Sequence, residues 1–238
     1  MELKKKMVAV CDLLGFSNLV EGKGLKDIID GDIGYLRKIL FRCLHQEDIP
    51  ENAPTLNELC DQERVGFAWF SDTIIFYGIH DSYESNLRVI EAVGWLIFHS
   101  MFKAEIRIRA GISYGELFVD PKNSIYIGQA IVDAHRLEKK QLWVGGALTD
   151  SASENTYPDN PWLVPYEVPL RTKNGSRTTK DMMAINWTFG IHDPNAFNLK
   201  WSVSEDEPSL DYSKENPDIV EKWLNTKNFH KAVCQFCK

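Results

Sequence analysis

Val8-Ala9-Val10-Cys11-Asp12-Leu13-Leu14-Gly15-Phe16-Ser17 is an apolar run that ends in a carboxylate and turns through a glycine. Over residues 7–12 the run is short, continuous and partly β-branched, the pattern of a strand buried on both faces. After Gly15 the pattern becomes helical. Strand, acid, tight turn and helix start is a succession that sets a metal ligand beside backbone N–H groups aimed at phosphate. The structural alternative is that Asp12 only closes the strand and Ser17 only caps the helix. A second acid weighs against that alternative. Asp72 lies inside Phe70-Ser71-Asp72-Thr73-Ile74-Ile75-Phe76, where a lone carboxylate is costly unless it is paired, neutralised or metal-bound.

Working outward, the segment from Gly15 to about Leu44 reads as helical with a break near Glu21–Gly24, its apolar residues Ile28, Ile29, Ile33, Leu36, Ile39, Leu40 and Cys43 recurring at helical spacing. Gln46 to Asp61, with prolines and several acids, reads as a loop. Val65 to Ile79 reads as a β-hairpin whose turn carries Asp72. A buried helix is expected over Glu84–Phe102, with Leu87, Ile90, Val93, Gly94, Ile97 and Met101 on one face. Ile106–Ser113 alternates as a strand, with a turn at Gly115-Glu116 leading to Leu117–Val119. Ile125–Ile127 is a further short strand, Gly128 starts a helix that ends at Lys139-Lys140, and Leu142–Val144 is a strand capped by Gly145-Gly146. Hairpin strands mixed with crossover helices imply an α+β fold, a ferredoxin-like antiparallel or mixed sheet covered by helices largely on one face.

From Asp150 the texture changes to proline, asparagine and serine. Two strands are expected, Tyr166–Leu170 and Met183–Trp187, joined through Lys173-Asn174-Gly175-Ser176, and a last helix from Pro217 to about Cys234. The division is therefore a core over 1–150 and a C-terminal extension over 151–238 packed on the same domain, a β-hairpin and a helix. Glu205-Asp206-Glu207 reads as a solvated face.

The chain has 238 residues, 44% of them hydrophobic and 11% aromatic, enough for a proper core and unlike a disordered chain. Its net charge of −7 makes nucleic acid a poor partner, whereas a nucleoside triphosphate remains possible if a divalent metal supplies positive charge. No apolar run reaches membrane-spanning length and the N-terminus does not read as a signal peptide, so a cytoplasmic location is expected. Five cysteines without a disulfide-framework spacing fit a reducing compartment. His230, Cys234 and Cys237 offer three ligands of zinc type but no fourth, and plain thiols on a helix are the preferred reading.

Four motifs in order resemble those of class III nucleotide cyclases across roughly residues 7–150. Asp12-Leu13-Leu14-Gly15-Phe16-Ser17 resembles the first metal-aspartate loop, and Phe70-Ser71-Asp72 the second metal-aspartate hairpin. Arg109-Ala110-Gly111-Ile112-Ser113-Tyr114-Gly115-Glu116 resembles the family's R-x-G-I-x-x-G-E stretch, and Gly128 to Glu138 its dimer-site helix. The tail, with Tyr166–Leu170 and Ile185-Asn186-Trp187, extends the likeness toward the bacterial pyrimidine cyclases of anti-phage (Pycsar) defence. Departures are informative. Where purine cyclases carry polar base-reading residues this chain has Ala68 and Ile125, and Val132 replaces an expected asparagine, while Arg136 matches the family's arginine.

The resemblance implies an enzyme that cyclises UTP to 3′,5′-cyclic UMP with loss of pyrophosphate, a second messenger read by an effector in antiviral defence. CTP giving cyclic CMP is the alternative, as is a catalytically silent nucleotide-binding module; a polymerase-like phosphotransferase is disfavoured by the acidic surface. Two divalent ions, Mn²⁺ or Mg²⁺, would be held by Asp12, Asp72 and the Leu13 carbonyl. The backbone from Leu14 through Gly15 and Phe16 to Ser17 would hold the terminal phosphates, and Ala68 and Phe70 would line the base site, with Trp69 turned to the core. Arg136 would act across a homodimer whose sites lie between protomers, while Asp133 and His135 are expected to be solvated.

Overall fold

The computed structural model describes residues 4–22, 24–45, 65–101, 106–157, 159–190 and 217–233. The expected loop at 46–61, Phe102, the Glu205–Glu207 run and both Cys234 and Cys237 fall outside them. In chain order the elements begin with β1 (Lys4–Leu14), α1 (Phe16–Gly22), α2 (Leu25–Asp27), a π-helical segment (Ile28–Ile33) and α3 (Gly34–His45). The hairpin β2 (Val65–Phe70) and β3 (Thr73–Gly78) leads to α4 (Tyr83–His99) and β4 (Arg107–Asp120). Then come β5 (Ile125–Ile127), α5 (Gln129–Lys140), β6 (Gly145–Leu148) and α6 (Asp150–Ser153). The described chain ends with β7 (Leu163–Arg171), β8 (Arg177–Ile185) and α7 (Pro217–Val233).

The sheet order is β2-β3-β1-β4-β6-β8-β7, with β5 paired to the far end of β4. β1 is central and antiparallel to both neighbours, whereas β4 and β6 run parallel across the α5 crossover. This is the mixed α+β sheet that the sequence pattern implies. β1 explains its own composition: Met7, Ala9, Cys11 and Leu13 enter the larger core with α3 and α4, while Val8 and Val10 enter a smaller one with Ala130 and Ala134 of α5. A strand covered on both sides cannot alternate polar and apolar. α4 starts as its sequence suggests, the Ser82 side chain accepting a hydrogen bond from the Ser85 N–H.

Four expectations need correction. Helices cover both faces of the sheet rather than largely one, because α5 lies opposite α3 and α4. Gly115-Glu116 does not turn: β4 continues for 14 residues, since the β1 ladder runs on through Lys6↔Gly115, Lys5↔Glu116 and Lys4↔Leu117. Leu142–Val144 is not a strand; Gly145–Leu148 is. The polar backbone of 142–144 is taken by α7 instead, Thr226 Oγ1 accepting from Val144 N at 2.8 Å and Asn225 Nδ2 donating to Leu142 O at 2.7 Å. Trp187 falls just beyond β8, in a 3₁₀ turn, buried beside Phe229 of α7.

The hairpin β7–β8 joins the sheet through Ala147↔Ala184. Trp143 stacks on Tyr166 at 5.4 Å and meets Phe229 edge-on at 4.8 Å, which fastens α7 to the underside of the β6 entry.

Candidate active site

The β-ladder register aligns the site. Asp12 on β1 stands opposite Arg109 on β4 and opposite Thr73 on β3, and Thr73 stands opposite Phe70 on β2. Directly opposed residues share a face, so Phe70, Thr73, Asp12 and Arg109 form one row across four strands. The adjacent row on that face is Ala68, Ile75, Val10 and Gly111. α5 covers the Gly111 end of these rows, where a Cβ on Gly111 would lie 2.1 Å from the Ala134 carbonyl oxygen. The β2 end is open, and Phe70 is 84% exposed.

Asp12 is nearly buried, at 8% exposure, and two cations reach it. Arg109 Nη2 donates to Oδ2 at 3.4 Å and Lys139 Nζ to Oδ1 at 3.3 Å, both long for hydrogen bonds. Behind them lies a fixed network. Arg109 Nε donates to Glu138 Oε1 at 2.6 Å and Nη1 to the Gln141 carbonyl at 3.2 Å. Gln141 in turn donates to Ala110 O and accepts from Trp143 Nε1. Glu138 is fully buried, and burial pushes its carboxyl up, against the pull of Arg109 and with a further push from Asp12. Its second oxygen, Oε2, accepts no hydrogen bond and has Lys139 Nζ and His135 Nδ1 each at 3.6 Å. Burial first, then the charges of Glu138 and Asp12, hold the neighbouring Cys11 thiol up and unreactive.

Asp72 occupies the two-residue turn of the β2–β3 hairpin, as the sequence indicates. Leu13 N donates to Asp72 O at 2.8 Å, so the backbones bearing the two acids touch. Ser71 has φ +55°, so the strand is not regular through it. Strand parity therefore does not carry from Phe70 through to Asp72, and Ala68 and Phe70 share the face of Asp12. Trp69 packs against the larger core and donates Nε1 to Ser71 O, as expected of a core-facing ring.

The glycine turn after β1 has the strand-turn-helix form its sequence suggests. Leu14 ends β1, Gly15 takes φ +82° in the left-handed region, and α1 starts at Phe16. The Leu14 and Phe16 side chains pack on the larger core, while Ser17 is exposed, and the first turn of α1 has no acid to oppose an anion. Arg136 is not brought to Asp12 within one chain. It projects from α5 at 66% side-chain exposure and pairs with Asp133 at 3.4 Å. Val132, at the position of the expected asparagine, is also exposed. His135 is exposed yet touches Glu138, so it is not merely solvated.

Sequence reasoning missed Arg109, Glu138 and Lys139 as parts of this site. Arg109 carried a signal, a cation at the midpoint of an apolar strand; Glu138 and Lys139 read as an ordinary helix end. Lys222 of α7 was missed too: burial, then the Arg109 charge, lowers its amine, and it also feels Asp12.

Among the described residues no group of three or more His, Cys, Asp or Glu is placed to hold a metal. Two carboxylates and a carbonyl are hard oxygen donors of the kind Mg²⁺ and Mn²⁺ take, with phosphate and water completing the shell. Asp12 fits such an ion: it is held by long contacts, one of them to a lysine half in solvent. No described helix is long and apolar enough to cross a membrane.

No protein-family model matches the sequence, and a search of curated proteins gave no match. Solved structures do match. The catalytic core of a rhodopsin-guanylyl cyclase with converted specificity, in complex with ATPαS, is 14% identical with TM-score 0.54, over 77% of this chain and 98% of that one. The guanylate cyclase domain of RhGC from Catenaria anguillulae, in complex with GTP, is 14% identical with TM-score 0.52 over 77% and 98%. A bacterial light-regulated adenylyl cyclase is 14% identical with TM-score 0.51 over 79% and 92%. At such identities the likeness is one of architecture. This chain has the fold of the adenylyl and guanylyl cyclase catalytic domains.

Proposed function

We propose that the protein is a nucleotide cyclase that converts UTP to 3′,5′-cyclic UMP and pyrophosphate. One observation carries the reading: in a cyclase fold, the buried Asp12 lies against the backbone of the Asp72 turn, beside a glycine turn that opens a helix. Cyclisation forms a bond from the ribose 3′-oxygen to the α-phosphorus and breaks the bond from that phosphorus to pyrophosphate; the hydroxyl proton leaves to solvent. Two divalent cations at Asp12, Asp72 and the Leu13 carbonyl would acidify that hydroxyl and neutralise phosphate charge. The protein's own contribution is positioning. Asp12 is pre-set by Arg109, and Arg109 by Glu138 and the Gln141 carbonyl. The Leu14–Ser17 backbone receives the terminal phosphates. Arg136, exposed on α5, supplies positive charge to the α-phosphate of a partner's site in a homodimer.

Pyrimidine preference is supported by what lines the base side. Ala68 lies on the Asp12 face and offers no polar group, Phe70 offers a ring beside it, and Ile125 replaces the second polar reader. CTP is the alternative substrate on the same grounds. By likeness to the pyrimidine cyclases of phage defence, the product would act on an effector in antiviral signalling in the cytoplasm. A silent nucleotide-binding module is the second reading, favoured by the pairing of Asp12 with Arg109 and Lys139, which satisfies it without an ion.

The deciding experiment incubates the protein with each of ATP, GTP, CTP and UTP and Mn²⁺ and identifies the product. Cyclic UMP, abolished by Asp12→Asn and by Asp72→Asn, is the expected result. A purine cyclic nucleotide as main product would overturn the base assignment, and no product from any of the four would favour the silent module.

A further inference from the structure

Lys139 stands where a cation at Asp12 would stand. Its ammonium is 3.3 Å from Asp12 Oδ1 and 3.6 Å from Glu138 Oε2, so it bridges two buried carboxylates from the last turn of α5. The two acceptors differ. Asp12 also has Arg109, whereas Glu138 Oε2 is buried and accepts no hydrogen bond, an unfavourable state for a carboxylate oxygen. His135 Nδ1, on the same helix, also lies 3.6 Å from that oxygen. Arg109 cannot shift: its guanidinium is tied to Glu138 Oε1 and the Gln141 carbonyl and is 6% exposed. Lys139 can, being half in solvent on a flexible stem.

We propose that Lys139 is a built-in occupant of the cation site which hands over from Asp12 to Glu138 Oε2 when a divalent ion binds. The inference rests on the metal role given to Asp12 above. Charge gives the direction of the movement. Arg109 and Lys139 balance Asp12 and Glu138, so a divalent ion added at Asp12 repels both cations, and the mobile one leaves. The unsatisfied oxygen of Glu138 lies within a small displacement of its ammonium. The handover keeps Asp12 neutralised before substrate and metal arrive and satisfies Glu138 afterwards. Lys139 thereby sets the affinity of the cation site without touching substrate.

The test is Mn²⁺ binding to the full-length protein without nucleotide, by calorimetry and by the electron paramagnetic resonance of free Mn²⁺. Lys139→Met removes the competing charge and should tighten Mn²⁺ binding about tenfold, whereas Lys139→Arg should bind no tighter than wild type. Unchanged or weaker binding by Lys139→Met overturns the handover. Asp12→Asn separates the two ideas. Binding that survives Asp12→Asn lies elsewhere and defeats the metal role of Asp12, and the handover with it. Binding that needs Asp12 but ignores Lys139→Met defeats the handover alone.

Discussion

His230 shows what burial does to a single side chain. It lies in α7 with its ring stacked on Trp187 at 5.7 Å, and burial lowers its pKa from 6.5 to about 4. Above pH 6.5 the imidazole is neutral whether the chain is folded or not, and the fold bears no penalty. Between pH 6.5 and 4 the unfolded chain binds a proton that the folded chain refuses, so stability falls as pH falls. The linkage amounts to about 2 kcal/mol between pH 7 and pH 5. Denaturant unfolding of wild type and of His230→Phe at both pH values measures it. The variant should lose that much less on acidification, and equal losses would show that His230 does not titrate in this way. The sequence offered His230 with Cys234 and Cys237 as zinc-type ligands but preferred plain thiols on a helix; the structure stacks His230 on Trp187, and both cysteines lie outside the described residues. Asp12 was legible because a charge inside an apolar strand is conspicuous. Glu138 was not, because its burial arises only when the register sets Arg109 beneath it.

At the scale of elements, α5 can approach β4 only over a glycine. A methyl on Gly111 would meet Ala134 O at 2.1 Å and Glu138 N at 2.6 Å, both backbone atoms that cannot swing aside. Gly111→Ala should therefore lift α5 off the sheet, costing about 3 kcal/mol and lowering Tm by roughly 6–12 °C in a chain of this size. The proposed cyclase turnover should fall further than stability explains, because Glu138 and Lys139 ride on α5. Gly31→Ala, where a methyl meets nothing within 4 Å in a helical segment, is the control and should leave stability unchanged or raise it by up to about 1 kcal/mol. Thermal melts of both variants check the pair, and equal melting temperatures would show that α5 tolerates displacement. Most elements were legible from periodicity: β1, the β2–β3 hairpin with its Asp72 turn, α4, α5 and α7 all lie where the pattern puts them. Two misreadings share a cause. Gly115-Glu116 and Gly145-Gly146 read as breaks, yet in both places a neighbouring strand supplies the hydrogen bonds that keep the backbone extended. Local glycine content cannot reveal a partner distant in the chain.

At the scale of the whole molecule, the proposed cyclase reading needs more than one chain. Asp12, the Asp72 turn and Arg109 gather at one end of the sheet, but Arg136 points outward from α5. Ile125, Ile127 and Val132, which precede it in the chain, are exposed as well. If a second copy brings its Arg136 to this site, a two-fold pair contains two equivalent sites, each made from both chains. The consequence is quantitative. Asp72→Ala and Arg136→Ala chains are each inactive alone, since every site in either homodimer lacks one group. Mixed in equal amounts and allowed to exchange, half of the dimers are heterodimers, and each has one site with both lesions and one intact. Activity should return to about one quarter of the wild-type level. Turnover measured across a titration of one variant into the other should peak at equal amounts. A flat titration with no recovery, from chains shown to exchange by mass or fluorescence, would place Arg136 and Asp72 in the service of the same protomer, and an Arg136→Ala chain active on its own would leave Arg136 without a catalytic part.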